Sequence, residues 1–247
     1  MEQITQTVLK FREESGYSQR ALQQIGVGLE TTRSSGSAES TTIVLDQSLF
    51  YNLSKRVIDI VLALSGLIVL LPLFLIIAVC IVLDDGGEVL HFREIVGQHG
   101  KRFFALKFRT MIPNADTYFD QHPELKQEYI QNMKLMSDPR ITRIGKFIRR
   151  ASLDEFPQLW NVLVGQMSLV GPRIIHPSEL PRYGEFAQKR LSVKPGITGL
   201  WQISGRQHIS YEERVLLDMR YVNTRSCCGD LKILFKTLSV LIIHTGA

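Results

Sequence analysis

The sequence has little cysteine, no internal repeat and, over one long stretch, no charge at all. Three cysteines occur in 247 residues: Cys80 within an apolar run, and the neighbours Cys227 and Cys228. No CxxC occurs, and none of the six histidines stands at ligand spacing from a cysteine. That argues against a zinc site or a disulfide framework and suits reduced thiols in a cytosolic setting. A secretory signal is not expected, because the apolar run begins near residue 57 and is too long for an h-region. Charged residues make up 21% and apolar ones 45%, so the bulk of the chain is not a disordered tail. The net charge of +5 points to anionic partners, either nucleic acid or a phosphate-rich lipid surface. The uncharged stretch favours the membrane, and no nucleic-acid partner is expected.

That stretch is Ile60 to Leu83, 24 residues of which none is charged. Its length predicts a membrane helix. Pro72 divides it into halves of about a dozen residues, each too short to span roughly 30 Å of hydrocarbon. Lys55 and Arg56 precede it, and Arg93, Lys101, Arg102, Lys107 and Arg109 follow it, so both flanks look cytoplasmic. Two dispositions fit these residues: a re-entrant helix–break–helix, or a kinked span with the N-terminal segment outside. Upstream, residues 1–54 read as a polar leader, in which Thr31–Thr42 resembles a flexible linker.

Beyond the apolar run, Asp84–Gly87 predicts a turn, and Val89–Phe92 with Phe103–Phe108 predicts a hairpin about Gly97–Gly100. Helices are expected over Ala115–Leu135, interrupted at Pro123, and over Ile141–Arg150 and Phe156–Val164. The apolar Leu231–His244 suits the core or the membrane interface.

Chemistry concentrates in Asp138–Arg173. Arg140, Arg143, Lys146, Arg149 and Arg150 place five cations within eleven residues, several on one helix face, where they can converge on a polyphosphate or lipid headgroups. Ser152-Leu153-Asp154-Glu155 follows and matches an S-x-x-E capping box, with Pro157 as a competing helix start. Two adjacent carboxylates beside such cations also suit phosphoryl chemistry: one can attack phosphorus while the other helps hold a divalent cation. From spacing alone the capping and catalytic readings both remain open.

Five ordered motifs carry a resemblance: KRVIDIVLALSGLIVLLPLF at 55–74, LKFRTM at 106–111, SLDEFPQLWNVLVGQMSLVGPR at 152–173, KPGITGLWQISGR at 194–206 and LDMRYV at 217–222. The sequence resembles the bacterial sugar transferases, the monotopic phosphoglycosyl transferases, in their short exopolysaccharide-initiating form. The resemblance implies a mostly helical α+β fold with a small antiparallel sheet, interfacial amphipathic helices and a re-entrant helix over 55–84 broken at Pro72. Residues 85–247 would then be a cytoplasmic catalytic domain at the bacterial inner membrane. It further implies a UDP-sugar donor, a polyprenol phosphate acceptor such as undecaprenyl phosphate, and Mg2+. Asp154 would be the nucleophile that forms a phosphosugar intermediate with release of UMP, and Glu155, with Asp154, would ligate the metal. Lys107, Arg109, Arg149, Arg150, Arg173 and Arg206 are the candidate substrate-binding cations. Trp201 is expected to stack on a base or to pack, and Asp218 and Tyr221 to be structural. The chain departs from the common GPRP pattern, since Ile174 follows Arg173.

Two other readings stand beside this one. A membrane-anchored glycosyltransferase would release UDP instead of UMP, and a scaffold of a polysaccharide assembly complex would release neither. The sequence leaves the sugar and the oligomeric state open, a homodimer included.

Overall fold

A computed structural model describes residues 39–115, 117–132, 135, 138–204 and 209–244; the side chains of 39–48, 130–134 and 240–244 lie outside the description. The chain divides into two units, Met1–Gln47 and Ser48–Ala247. The architecture of the second is α+β and mostly helical, as expected.

Helix α1, Glu39–Asp85, begins earlier than the expected boundary at residue 55 and takes in the end of the linker-like segment. A nucleated helix gains one hydrogen bond for each residue it adds, so it extends into weak helical sequence at little cost. The expected break at Pro72 is absent as an interruption, because α1 stays helical across it. Proline removes the bond to the Ile68 carbonyl, but the helical residues on both sides retain theirs. Leu49–Asp85 is long and apolar enough to cross a membrane, and most of its apolar side chains are exposed.

The rest packs around a hairpin. Strands β1 (Leu90–Val96) and β2 (Arg102–Phe108) pair antiparallel, with Arg93 opposite Ala105 and His91 opposite Lys107. Opposite residues share a face, so His91, Arg93 and Ile95 lie with Phe103, Ala105 and Lys107. Ile95, Phe103 and Ala105 of that face enter the central core with Ala63 of α1, Val162, Met167 and Leu169.

Short helices α2 (Tyr118–Gln121), α3 (Pro123–Asn132), α4 (Arg143–Arg150) and α5 (Gln158–Leu163) follow. A second ladder is parallel, which the sequence reading did not foresee: β3 (Ser168–Val170) pairs with β4 (Gly196–Thr198). Gly171 and Gly196 permit it, since a Cβ on Gly196 would lie 2.1 Å from the Gly171 nitrogen. Between β3 and β4 the chain makes a 3-10 segment, Pro177–Phe186, and helix α6, Ala187–Arg190. Helices α7 (Tyr211–Thr224) and α8 (Cys227–His244) complete the fold. Ile233 of α8 is buried in the core whereas Leu231, Phe235 and Leu238 are exposed, so this helix is part core and part apolar surface.

Both halves of α1 are docked on this body. Before Pro72, Lys55 donates to the Val170 carbonyl (2.9 Å) and to Asp230 (2.7 Å). Arg56 donates to the carbonyls of Val162 (2.7 Å) and Leu163 (2.8 Å), and Asp59 accepts from the Leu169 amide (2.9 Å). After Pro72, Ile77 and Ile81 are buried with Phe108 and Ile148.

Candidate functional site

Three elements converge on Asp154 and Glu155. The first is β2, whose alternation carries Lys107 to the inner face. The second is α5, fixed to β2 by Asn161: its Oδ1 accepts from the Leu106 amide (3.0 Å) and its Nδ2 donates to the Phe104 carbonyl (2.8 Å). That bond pair sets the preceding turn, Leu153–Glu155, against Lys107. The third is α4, capped by Thr142, whose Oγ1 accepts from the Gly145 amide (2.9 Å). Gly145 lets α4 sit on the backbone of Thr110, because a Cβ there would fall 2.1 Å from the Thr110 carbonyl oxygen.

The capping box expected at Ser152 is not formed. Ser152 is left-handed (φ 55°) and makes no side-chain cap, and the carboxylates lie in a one-turn 3-10 segment before Pro157, the N-cap of α5. A non-glycine residue in that region stores strain, of order 1 kcal/mol or more, and such strain recurs at functional turns. The side chains nearest the carboxylates are cations, so they, rather than a helix terminus, set the local field.

Lys107 Nζ lies 2.8 Å from Glu155 Oε1 and 3.9 Å from Asp154 Oδ2, and Arg173 Nη2 lies 3.7 Å from Glu155 Oε1. The two carboxylates answer this environment in opposite directions. Burial pushes the Asp154 carboxyl up and its neighbour Glu155 adds to the rise, against the pull of Lys107 and Arg149. Burial would raise Glu155 too, but Lys107, Arg173 and Arg93 outweigh it and hold the group down at about 2. Glu155 is thus the fixed anion of the pair. Asp154 is the carboxylate with the weaker hold, which leaves its oxygen lone pairs available to an electrophile.

The other expected cations divide. Arg149 is tied to Thr110 Oγ1 (2.7 Å), and its field reaches Asp154. Arg150 is exposed at the end of α4. Arg109 is engaged elsewhere: β2 ends at Phe108, so strand alternation no longer applies. Its guanidinium grips Asp85 and the carbonyls of Glu88 and Met111. Arg206 lies outside the described residues. Trp201 packs rather than standing open, with the Arg173 and Arg214 guanidinium carbons 4.9 and 4.8 Å from its ring centroid. Asp218 and Tyr221 are buried and hydrogen-bonded to neighbouring elements, in keeping with a structural role.

Arg93 is the site cation that sequence reading missed. In sequence it reads only as flanking charge, yet its register opposite Ala105 puts it on the Lys107 face. It pairs with Glu179 at 3.3 Å, and its field reaches Glu155. Face assignment across the predicted hairpin was the signal that could have found it.

Among the described residues no cluster of three or more His, Cys, Asp or Glu side chains is placed to hold a metal ion. The two carboxylates nevertheless suit Mg2+, which takes one or two carboxylates and completes its shell with water and substrate phosphate. The whole arrangement is two adjacent carboxylates, one held ionised and one weakly held, among cations from β1, β2, α4 and the segment after β3. It suits nucleophilic attack on an anionic phosphorus centre.

Comparison with known proteins gives the family. Residues 50–244 match the family model described as bacterial sugar transferase. A UDP-galactose-lipid carrier transferase of Erwinia amylovora is 47% identical over 197 residues, 78% of this chain and 41% of that protein. The exopolysaccharide production protein ExoY of Sinorhizobium fredii is 42% identical over 199 residues, 79% of this chain and 88% of that protein. An undecaprenyl-phosphate galactose phosphotransferase of Salmonella typhimurium is 44% identical over 197 residues, 78% of this chain and 41% of that protein. The chain belongs to the bacterial sugar transferase family. It spans about two fifths of the length of the Erwinia and Salmonella relatives and most of that of the Sinorhizobium protein.

Proposed function

We propose that the chain moves a hexose-1-phosphate from a UDP-sugar to a polyprenol phosphate, the first membrane step of exopolysaccharide or glycoconjugate synthesis. The observation that carries this reading is the placement of two adjacent carboxylates, Asp154 and Glu155, with Lys107 3.9 and 2.8 Å from them and Arg173 3.7 Å from Glu155. Relatives named for galactose, a lipid carrier and undecaprenyl phosphate support the choice of donor and acceptor.

In the first step an Asp154 carboxylate oxygen attacks the phosphorus that bears the sugar. A bond forms between that oxygen and phosphorus, the bond to the bridging oxygen of the diphosphate breaks, and UMP leaves with the electron pair. In the second step a lipid phosphate oxygen attacks the same phosphorus and displaces the Asp154 carboxylate, giving a lipid diphosphosugar. Lys107, Arg173, Arg93 and Arg149 surround the pair and offset the repulsion between a carboxylate nucleophile and an anionic donor. Glu155, with Asp154, would hold Mg2+, which when bound neutralises further charge on the diphosphate.

The docking of both halves of α1 on one body supports a helix that returns to the leaflet it enters, although the chain stays helical across Pro72. The outward residues of α4, Arg143, Lys146, Phe147 and Arg150, suit a headgroup surface on the cytoplasmic side of the inner membrane.

Purified protein tests the chemistry: wild type should release UMP from UDP-galactose or UDP-glucose, and Asp154→Asn should not. Release of UDP would instead favour direct glycosyl transfer, and release of neither would favour a scaffold. Topology has its own test. With Cys80, Cys227 and Cys228 replaced by serine, single cysteines at Asn52 and Glu88 should label from the same side in sealed cells. Labelling of only Asn52 from outside would establish a crossing helix.

A further inference from the structure

Arg173 is held in place by three contacts outside the carboxylate pair. Its carbonyl accepts a 2.7 Å hydrogen bond from Arg190 Nη2. Its backbone forms an isolated parallel bridge with Gly196, the residue at the start of β4. Its guanidinium lies over the buried Trp201 ring, 4.9 Å from the centroid.

The first of these contacts is the most expensive to build. Arg190 is fully buried, at 0% exposure, and a guanidinium is seldom taken out of water without an evident partner. It forms no ion pair within 4 Å among the described residues; its resolved bond goes to one main-chain carbonyl, that of a site residue. Asp218 supplies the compensating charge at longer range. It is buried, accepts from Tyr183 Oη (2.7 Å), and is pushed up to about 6 by burial against that bond and the fields of Arg190 and Arg173. A buried cation and a buried anion therefore flank the main chain at residue 173. Replacing such a pair with apolar side chains is often neutral or stabilising, so stability alone does not account for it.

We infer that Arg190 and Trp201 are positioning residues: they fix the Arg173 guanidinium 3.7 Å from Glu155, where it can take the donor diphosphate. The inference rests on the proposed reading of the site. Among the described residues neither makes an ion pair with Asp154 or Glu155, so both act through Arg173. This gives the glycine-rich motif around Trp201 a role that its sequence did not disclose.

A double-mutant cycle on the full chain in detergent tests it, with UDP-galactose, undecaprenyl phosphate and Mg2+. Arg190→Gln should raise the donor KM roughly ten-fold with kcat nearly unchanged, and Arg190→Lys, which can still donate to the carbonyl, should recover part of the loss. In an Arg173→Ala background Arg190→Gln should cost less than about two-fold more, because the group it positions is gone. Effects that multiply in the double variant would overturn the inference. If Arg190→Gln does not fold, Trp201→Leu enters the same cycle with the same expectation.

A second readout does not depend on turnover. In a Trp160→Phe background Trp201 is the sole tryptophan. Its emission should shift equally on Arg190→Gln and on Arg173→Ala, with the far-UV circular dichroism unchanged. Unaltered emission in Arg190→Gln would refute the positioning role. Should wild type release no UMP, the transfer reading fails on its own, and the emission experiment still decides whether Arg190 holds Arg173.

Discussion

Replacing Glu155 with glutamine removes a charge but keeps a side chain that can accept from Lys107, so it isolates the electrostatic part of the site. Glu155 is held at about 2 against an ordinary value of 4.5, the cations outweighing its burial. At about 1.4 kcal/mol per pH unit that difference corresponds to roughly 3 kcal/mol in favour of the folded state. The sign follows from the depressed value: the contribution is complete above about pH 4.5 and is lost as pH falls through 2. Glu155→Gln should therefore lower the melting temperature at pH 7 by roughly 6–12 °C, taking about 2–4 °C per kcal/mol for a chain of this size. Differential scanning fluorimetry of the detergent-solubilised chain across pH 7 to 2 measures it, and the gap between wild type and variant should close between about pH 5 and pH 2. An unchanged melting temperature at pH 7, or a gap independent of pH, would refute the claim that Lys107 and Arg173 stabilise Glu155 as an anion.

The companion substitution runs the other way. Asp154→Asn removes a carboxylate whose ionised form is disfavoured by burial and by Glu155, so the variant should melt above wild type at pH 7 while releasing no UMP. Arg56→Met deletes two charge-assisted hydrogen bonds to the last carbonyls of α5 and should cost roughly 2–4 kcal/mol, read from urea unfolding. Gly145→Ala drives a Cβ against the Thr110 carbonyl and should lose more than about 2 kcal/mol together with the Arg149–Thr110 bond. Gly86→Ala, left-handed (φ 70°) but in open space, should cost only about 1 kcal/mol in the same assay.

What the sequence disclosed and what it withheld follow from the range of the forces involved. The hairpin was legible because strand alternation and the Gly97–Gly100 turn are local signals. Asp154, Glu155 and Lys107 were identified from motifs, and the fold brings them within 4 Å. Arg109 shares the LKFRTM motif with Lys107, but it lies one residue beyond the end of β2 and pairs with Asp85, a partner that nothing local signals. Ser152 satisfied a capping pattern, but the chain must turn sharply between α4 and the carboxylates, and a left-handed residue accomplishes that turn. Arg190 lay outside every quoted motif: its partner is a main-chain carbonyl seventeen residues away, and nothing in side-chain chemistry signals such a contact. The parallel β3–β4 pairing was hidden for a similar reason, as three-residue strands show no periodicity.

The docking of α1 also bears on how the protein is made. Ala63, Ile77 and Ile81 are part of the hydrophobic cores, and Asp59 and Arg56 satisfy backbone groups of β3 and α5. A version made without α1 is therefore missing interior parts of its own fold: an incomplete chain exposed to proteases, not a smaller transferase freed of its apolar helix.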